Sequence, residues 1–273
     1  MRAAGLVTWI LRAYVCLALL FVFAPIITSF IYSFDASRYA AFPWGGFSTQ
    51  WYGEALADPA VASSFRNTVI VALLSASLAT AIGFAAAYTD YRYKFFGKNA
   101  YLALALLPPT IPAIILGLAM LVFLSRVSLS GGLHSIIISH VVYAIPFAMA
   151  LVRLRLSQMP ADLEAVAWNL GAGQWLTLRS VILPFTLPAI LAALFLTMAV
   201  SFDEYAIAWF VSGFSETLPV HILILLQREV SPKVNVIGSV AFIISMTLIV
   251  VAQIILFARA PAKTRGRSFK TGS

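Results

Sequence analysis

Charge is the scarcest ingredient of this 273-residue sequence: Asp, Glu, Lys and Arg together make up 10% of it. Soluble globular domains carry about 25%, so an ordinary water-soluble domain is excluded. Cysteine is nearly absent as well. The single Cys16 sits inside an apolar run, which excludes a disulfide framework and leaves a small packing residue. Histidine occurs only at His134, His140 and His221. His134 and His140 are six residues apart, on different sides of a helix, and no acid accompanies them in sequence. Metal binding and nucleophile–base chemistry therefore lack a constellation. The phosphate-cradling pattern G-x-x-x-x-G-K-[ST] does not occur, so the chain cannot hydrolyse ATP by that route. An internal repeat of the kind that marks many secondary transporters is also missing.

What is abundant is hydrocarbon. Hydrophobic residues account for 62% of the sequence and fall in long runs, over 13–31, 67–88, 101–124, 134–152, 185–210 and 236–257. Each is near or above the ~20 residues that cross ~30 Å of hydrocarbon. Backbone groups in lipid must bond within their own segment, so the runs predict six helices. The expected fold class is an all-α polytopic membrane protein, one transmembrane domain over 1–273. The first run, preceded by Arg2 and Arg12, is longer than the apolar region of a signal peptide and lacks a small-x-small cleavage site; it reads as a retained first helix. With the N-terminus inside, Arg92, Lys94, Lys98, Arg153, Arg155, Arg179 and the basic tail 259–273 all fall on the inner side, and both termini are predicted to be cytoplasmic. The net charge of +8 then reflects topology and anionic lipid headgroups, with no need for a nucleic acid partner. The tail itself, basic and small-polar, is predicted to be disordered.

Several local patterns refine this outline. Ser75, Ala79, Gly83 and Ala87 follow one another at i+4 spacing, a stripe that lets another helix approach closely. LPPTIP places Pro108, Pro109 and Pro112 inside the third run, where freed carbonyls require protein or water. The run is either kinked beside a water-filled path or merely bent for packing, and Pro146 in the fourth run has the same two readings. The outer loop 32–66 holds Trp44, Trp51 and Tyr52, either an interfacial aromatic belt or a docking surface.

The stretch EAVAWNLGAGQWLTLRSVILP, residues 164–184, interrupts the apolar runs on the inner side. Residues 165–170 read as a helix whose start Asp162 stabilises. Gly171 and Gly173 permit a reversal, residues 174–180 read as a second short helix, and Pro184 and Pro188 suit the opening turn of the fifth span. Trp168, Leu170 and Leu178 are costly in water unless they cover a groove on another molecule. The competing reading lays the hairpin on the headgroups, with Arg179 toward the phosphates.

This segment resembles the cytoplasmic coupling loop of permease subunits of type I ABC importers, whose pattern is Glu-Ala-Ala, three residues, Gly, nine residues, then Ile-x-Leu-Pro. Anchored on Gly171, the pattern sets Val181 at the Ile position and Leu183-Pro184 at the Leu-Pro position. Ala165, Val166 and Ala167 take the Glu-Ala-Ala positions, so the acid falls one residue early, at Glu164. SFDASRYAAFPWGGFSTQWYGEAL, SFDEYAIAWFVSG and REVSPKVN are similar to the spermidine/putrescine branch, specifically its second permease component.

The resemblance covers nearly the whole chain and implies a six-span, MetI-like permease of the bacterial cytoplasmic (inner) membrane. It implies a heterodimer with a sister permease, two ATP-binding subunits below and a periplasmic substrate-binding protein outside. ATP is then bound by the partner and this chain needs no cofactor. The coupling loop is expected over 156–184, with Glu164, Ala165, Ala167, Trp168, Leu170, Gly171, Leu183 and Pro184 meeting the ATP-binding subunit.

Among ten acidic residues, only Asp203-Glu204 lies in an apolar span, about 29 Å along a helix that enters at Pro184. Intramembrane acids normally face a bundle interior or a cavity. Adjacent helical residues point ~100° apart, so one of the two faces a pore, and Asp203 is preferred. The other reading has the acid reach outer water or pair with Arg228 or Lys233. Asp203, Glu204, Tyr205 and Trp209 are the expected substrate path, with the aromatics adding cation–π contacts to a cationic cargo. The resemblance points to a polyamine, although relatives of this branch handle unrelated small solutes.

Overall fold

The computed structural model describes residues 2–38, 43–160, 162–228 and 232–258, and every regular element in it is helical. The tail 259–273 lies outside the described residues. Five of the six expected spans appear as helices long and apolar enough to cross a membrane: α1 (Arg2–Tyr32), α3 (Pro59–Arg92), α6 (Leu133–Leu156), α12 (Pro232–Ala258) and the stretch Gln174–Asp203. A short α2 (Gln50–Ala57) precedes α3. The third span is broken, with α4 (Lys98–Leu106) separated from α5 (Ala113–Arg126) by a 3₁₀ turn at Pro108–Thr110. Three prolines remove the N–H donors that would have continued the ladder. Thr110 repairs part of the loss, its Oγ1 donating to the Leu107 carbonyl at 2.7 Å. Pro146, by contrast, stays inside an unbroken α6.

The inner-side segment forms α7 (Asp162–Asn169) and α8 (Gln174–Thr177). A π-turn over Leu178–Ile182 leads into α9 (Leu183–Asp203). The expected separate second helix is therefore absent: Gln174–Asp203 is one 30-residue apolar helix. The π-turn precedes Pro184, whose missing N–H frees the Ser180 carbonyl. The fifth span also ends earlier than 210. Helix α9 stops at Asp203, and α10 (Ala206–Val211) restarts after Glu204 and Tyr205. A further apolar helix, α11 (Leu218–Arg228), occupies what the sequence suggested was a loop.

Helices α3, α6 and α9 form the centre of the bundle, α12 packs on α9, and α1 lies against α12. The small-residue stripe does what its spacing predicts. Ser75, Ala79, Gly83 and Ala87 are all buried, and α3 comes so close to α6 that a Cβ on Gly83 would stand 2.7 Å from Ala148 Cβ. Polar groups inside this contact pair across helices. Ser75 Oγ donates to Ser201 Oγ at 2.8 Å, and Thr80 and Thr197 hydroxyls lie 3.3 Å apart.

The two bundle ends differ. At one end Asp90 holds Arg153 Nε at 2.6 Å and Lys98 Nζ at 3.1 Å, tying α3, α4 and α6; Arg92 and Arg155 lie at the same end, bonded to Glu164 and to the Phe185 carbonyl respectively. At the opposite end Asp58 caps α3 through the Ala60 amide at 2.8 Å and bonds Lys233 at the start of α12. The Lys233 ammonium holds the Asp58 carboxyl below the usual carboxylate range. Trp51 and Tyr52 of the outer loop are half-buried. They pack inward, with the Trp51 indole donating to the Asp35 carbonyl at 2.8 Å, while Trp44 is exposed.

Candidate functional site

Two regions gather the residues singled out by sequence. The first is the reversal between α7 and α8, at the basic end. The Ala172 amide donates to the Ala167 carbonyl at 3.0 Å and the Gly171 amide to the Trp168 carbonyl at 2.9 Å. With Gly171 at φ +83°, this is a Schellman cap, which needs a residue comfortable in the left-handed region. The cap fixes what the turn presents. Leu170 is 83% exposed and Trp175 74%, with Val166 and Leu176 exposed beside them. Trp168 is 43% exposed and Leu183 and Pro184 are exposed at the foot of α9. Leu178 departs from expectation: it turns inward onto the core formed by Met149, Val152 and Ile182. Glu164 is turned inward as well, 7% exposed, with Ala165 outward and Ala167 half-buried.

The second region is a cleft of about 420 Å³ lined by Pro112, Ile114, Tyr143, Asp203, Glu204 and Tyr205 among others. Two breaks build it, the proline turn before α5 and the interruption after α9. Both acids border the cleft, yet their carboxylates are engaged differently. Asp203 Oδ1 accepts one bond, from Ser245 Oγ of α12 at 2.6 Å. Glu204 accepts from the Ala206, Ile207 and Ala208 amides at 3.1, 2.9 and 3.2 Å. These are the unpaired donors that open α10, and a carboxylate is the partner they favour. Lys233, one of the cations offered to Asp203 by sequence, bonds Asp58 instead. Trp209 lies a turn beyond Tyr205 and outside the cleft lining.

Sequence reasoning passed over His140 because no acid stands near it in the chain. In three dimensions Glu204 Oε2 lies 3.5 Å from its Nε2, and its Nδ1 lies 2.8 Å from Ser201 Oγ. Ser201 Oγ in turn accepts from Ser75 Oγ at 2.8 Å. This buried line joins α3, α9 and α6 to the cleft wall. Only the tertiary fold brings these residues together, and no periodicity carries such a signal.

Comparisons with known proteins bear on the family and the fold. Residues 79–263 match the family described as binding-protein-dependent transport system inner membrane component. The spermidine/putrescine transport system permease protein PotC of Haemophilus influenzae is 31% identical over 245 residues, covering 89% of this chain and 95% of that protein. Among solved structures, a bacterial ABC transporter involved in the import of the acidic polysaccharide alginate has a TM-score of 0.74 at 15% identity, over 95% of this chain and 97% of that one. The MetNI methionine ABC transporter, in inward-facing conformations, has a TM-score of 0.62 at 23% identity, over 74% of this chain and 98% of that one. The MetI-like permease fold is therefore shared, with five helices among the described residues long and apolar enough to cross a membrane.

Proposed function

This chain belongs to the binding-protein-dependent transport system inner membrane components, and from that premise we propose that it is half of the translocation path of an ATP-driven importer. A sister permease supplies the other half, two ATP-binding subunits seat under the pair, and a substrate-binding protein delivers cargo from outside. The end carrying α7 and α8 faces the cytoplasm together with both termini. The gathering of Arg92, Lys98, Arg153, Arg155 and Arg179 at that end supports this orientation. ATP is bound and hydrolysed by the partner, and this chain carries no cofactor.

One observation carries the reading: Leu170 and Trp175 project from a rigidly capped turn whose second arm runs without a break into α9. Burying a large apolar side chain is worth about 1.5–3 kcal/mol, so a groove on the ATP-binding subunit has a ready anchor here. Closure of the ATP-binding subunits displaces the turn. The 30-residue lever Gln174–Asp203, about 45 Å long, passes that displacement to the cleft at its far end. Glu164, Ala165, Ala167, Trp168, Gly171, Leu183 and Pro184 set the turn's shape and margin.

The cargo is a small cation, a polyamine. Its support is the name of the relative PotC and the presence of Asp203 with Tyr205 and Tyr143 on one cleft, where anion and aromatic faces attract an ammonium.

The double variant Leu170→Ser, Trp175→Ser tests the docking. Both side chains are exposed, so membrane levels of the chain stay unchanged, while the ATP-binding subunit recovered with it falls at least about tenfold. Full recovery would instead favour the headgroup-lying hairpin.

A further inference from the structure

Glu164 occupies an unusual position for an acid in a docking segment. It is buried, and both carboxylate oxygens are bound within this chain. Tyr91 Oη donates to Oε1 at 2.6 Å, and Arg92 NH1 donates to Oε2 at 3.3 Å. The same guanidinium stands over the Trp168 ring, 4.7 Å from its centroid. Glu164 and Trp168 are four residues apart and so share one face of α7. Arg92 thus lies between the carboxylate and the indole and is held by both.

The placement is electrostatically consistent at the level of whole helices. Glu164 is in the first turn of α7, where the helix end is partially positive, and Arg92 is in the last turn of α3, where it is partially negative. Each charge suits its own helix end and its partner at once. Charge-assisted bonds that are largely shielded from water are the stronger kind, and this pair is supplemented by a phenol.

We propose that Glu164 is a positioning residue that locks α7 onto the end of α3 through Tyr91 and Arg92, and is not a contact to the ATP-binding subunit. The inference rests on the function proposed above and adds a second output to the lever. Through Leu178–Ile182 the turn drives α9, and through the Glu164 clamp it drives α3. Because α3 meets α6 without a gap at Gly83 and α9 packs against both, the two outputs move the bundle centre as one body. Without the clamp, α7 swings on the Gly171 turn and part of the stroke is lost.

The test uses the assembled complex in proteoliposomes, reading cargo uptake, ATP hydrolysis and recovery of the ATP-binding subunit together. Glu164→Ala is expected to lower uptake about tenfold while the ATP-binding subunit is recovered in full and hydrolysis persists, so that uptake per ATP falls. Tyr91→Phe alone lowers uptake severalfold, and adding it to Glu164→Ala changes nothing further, because both remove one clamp. Recovery of the ATP-binding subunit that drops in Glu164→Ala overturns the inference, as do additive effects of the two substitutions. Should Glu164→Ala fail to accumulate, Tyr91→Phe decides by itself: wild-type uptake per ATP contradicts the clamp and reduced uptake supports it. Failure of the unmodified chain to retain any ATP-binding subunit strikes the proposed function first, and this inference falls with it.

Discussion

Replacing Gly83 with leucine is expected to remove the chain from the membrane almost entirely. The added Cβ alone would stand 2.7 Å from Ala148 Cβ, 2.9 Å from the Met149 amide nitrogen and 3.1 Å from the Ile145 carbonyl oxygen. Two of those three atoms are backbone, so no side-chain rotation relieves the clash. Carbon atoms prefer separations of about 3.5–4.0 Å, and α3 would have to lift from α6 along the contact at the bundle centre. Overpacking of this kind costs about 1–3 kcal/mol even where side chains can yield, and here they cannot. Alanine at the same position is expected to lower the melting temperature of the purified protein measurably, and leucine to prevent recovery. Gly53 supplies the control, since a Cβ there meets nothing within 4 Å, and Gly53→Ala leaves both quantities unchanged. A Gly83→Leu chain recovered at normal levels would mean that the α3–α6 approach is not what holds the bundle.

The second large effect is expected at Asp203. Asp203→Asn keeps the side-chain shape and the bond from Ser245 but removes the charge. A cation and a carboxylate at ~4 Å attract by about 4 kcal/mol at an effective dielectric of about 20, and desolvation offsets part of that. Polyamine uptake should therefore fall about tenfold or more, with the ATP-binding subunit retained. Glu204 does not compensate, because its carboxylate is occupied by three amides of α10 and faces His140. Uptake that is unaltered in Asp203→Asn would remove this residue from the path.

Much of the fold is legible in the sequence because lipid imposes one rule, that backbone bonds close within a segment. Long apolar runs therefore marked α1, α3, α6 and α12, and three clustered prolines marked the break before α5. The turn at Gly171 was legible for the same local reason, since positive φ selects glycine. Where sequence reasoning fell short, the cause is tertiary. Helix α11 is too short to span a membrane and its apolar run resembles a loop margin. The end of α9 at Asp203 depends on Glu204 turning to cap α10, a choice that hydropathy does not register. Leu178 turns inward because the π-turn rotates it toward Met149 and Val152. The pairs Tyr91–Glu164 and His140–Ser201 are far apart in sequence, so neither spacing nor composition points to them.

Transport by the proposed mechanism requires the α7–α8 turn to meet an ATP-binding subunit on the cytoplasmic side. Cysteine crosslinking reads this directly, with the exposed Cys16 replaced by alanine and single cysteines placed at Leu170 or Trp175. Crosslinks from both positions to the ATP-binding subunit, and none from a cysteine at Leu56, which is exposed near the opposite end of the bundle, are the predicted result. Crosslinks that never form from the turn, or a turn that is labelled only by impermeant reagents added outside, would contradict it.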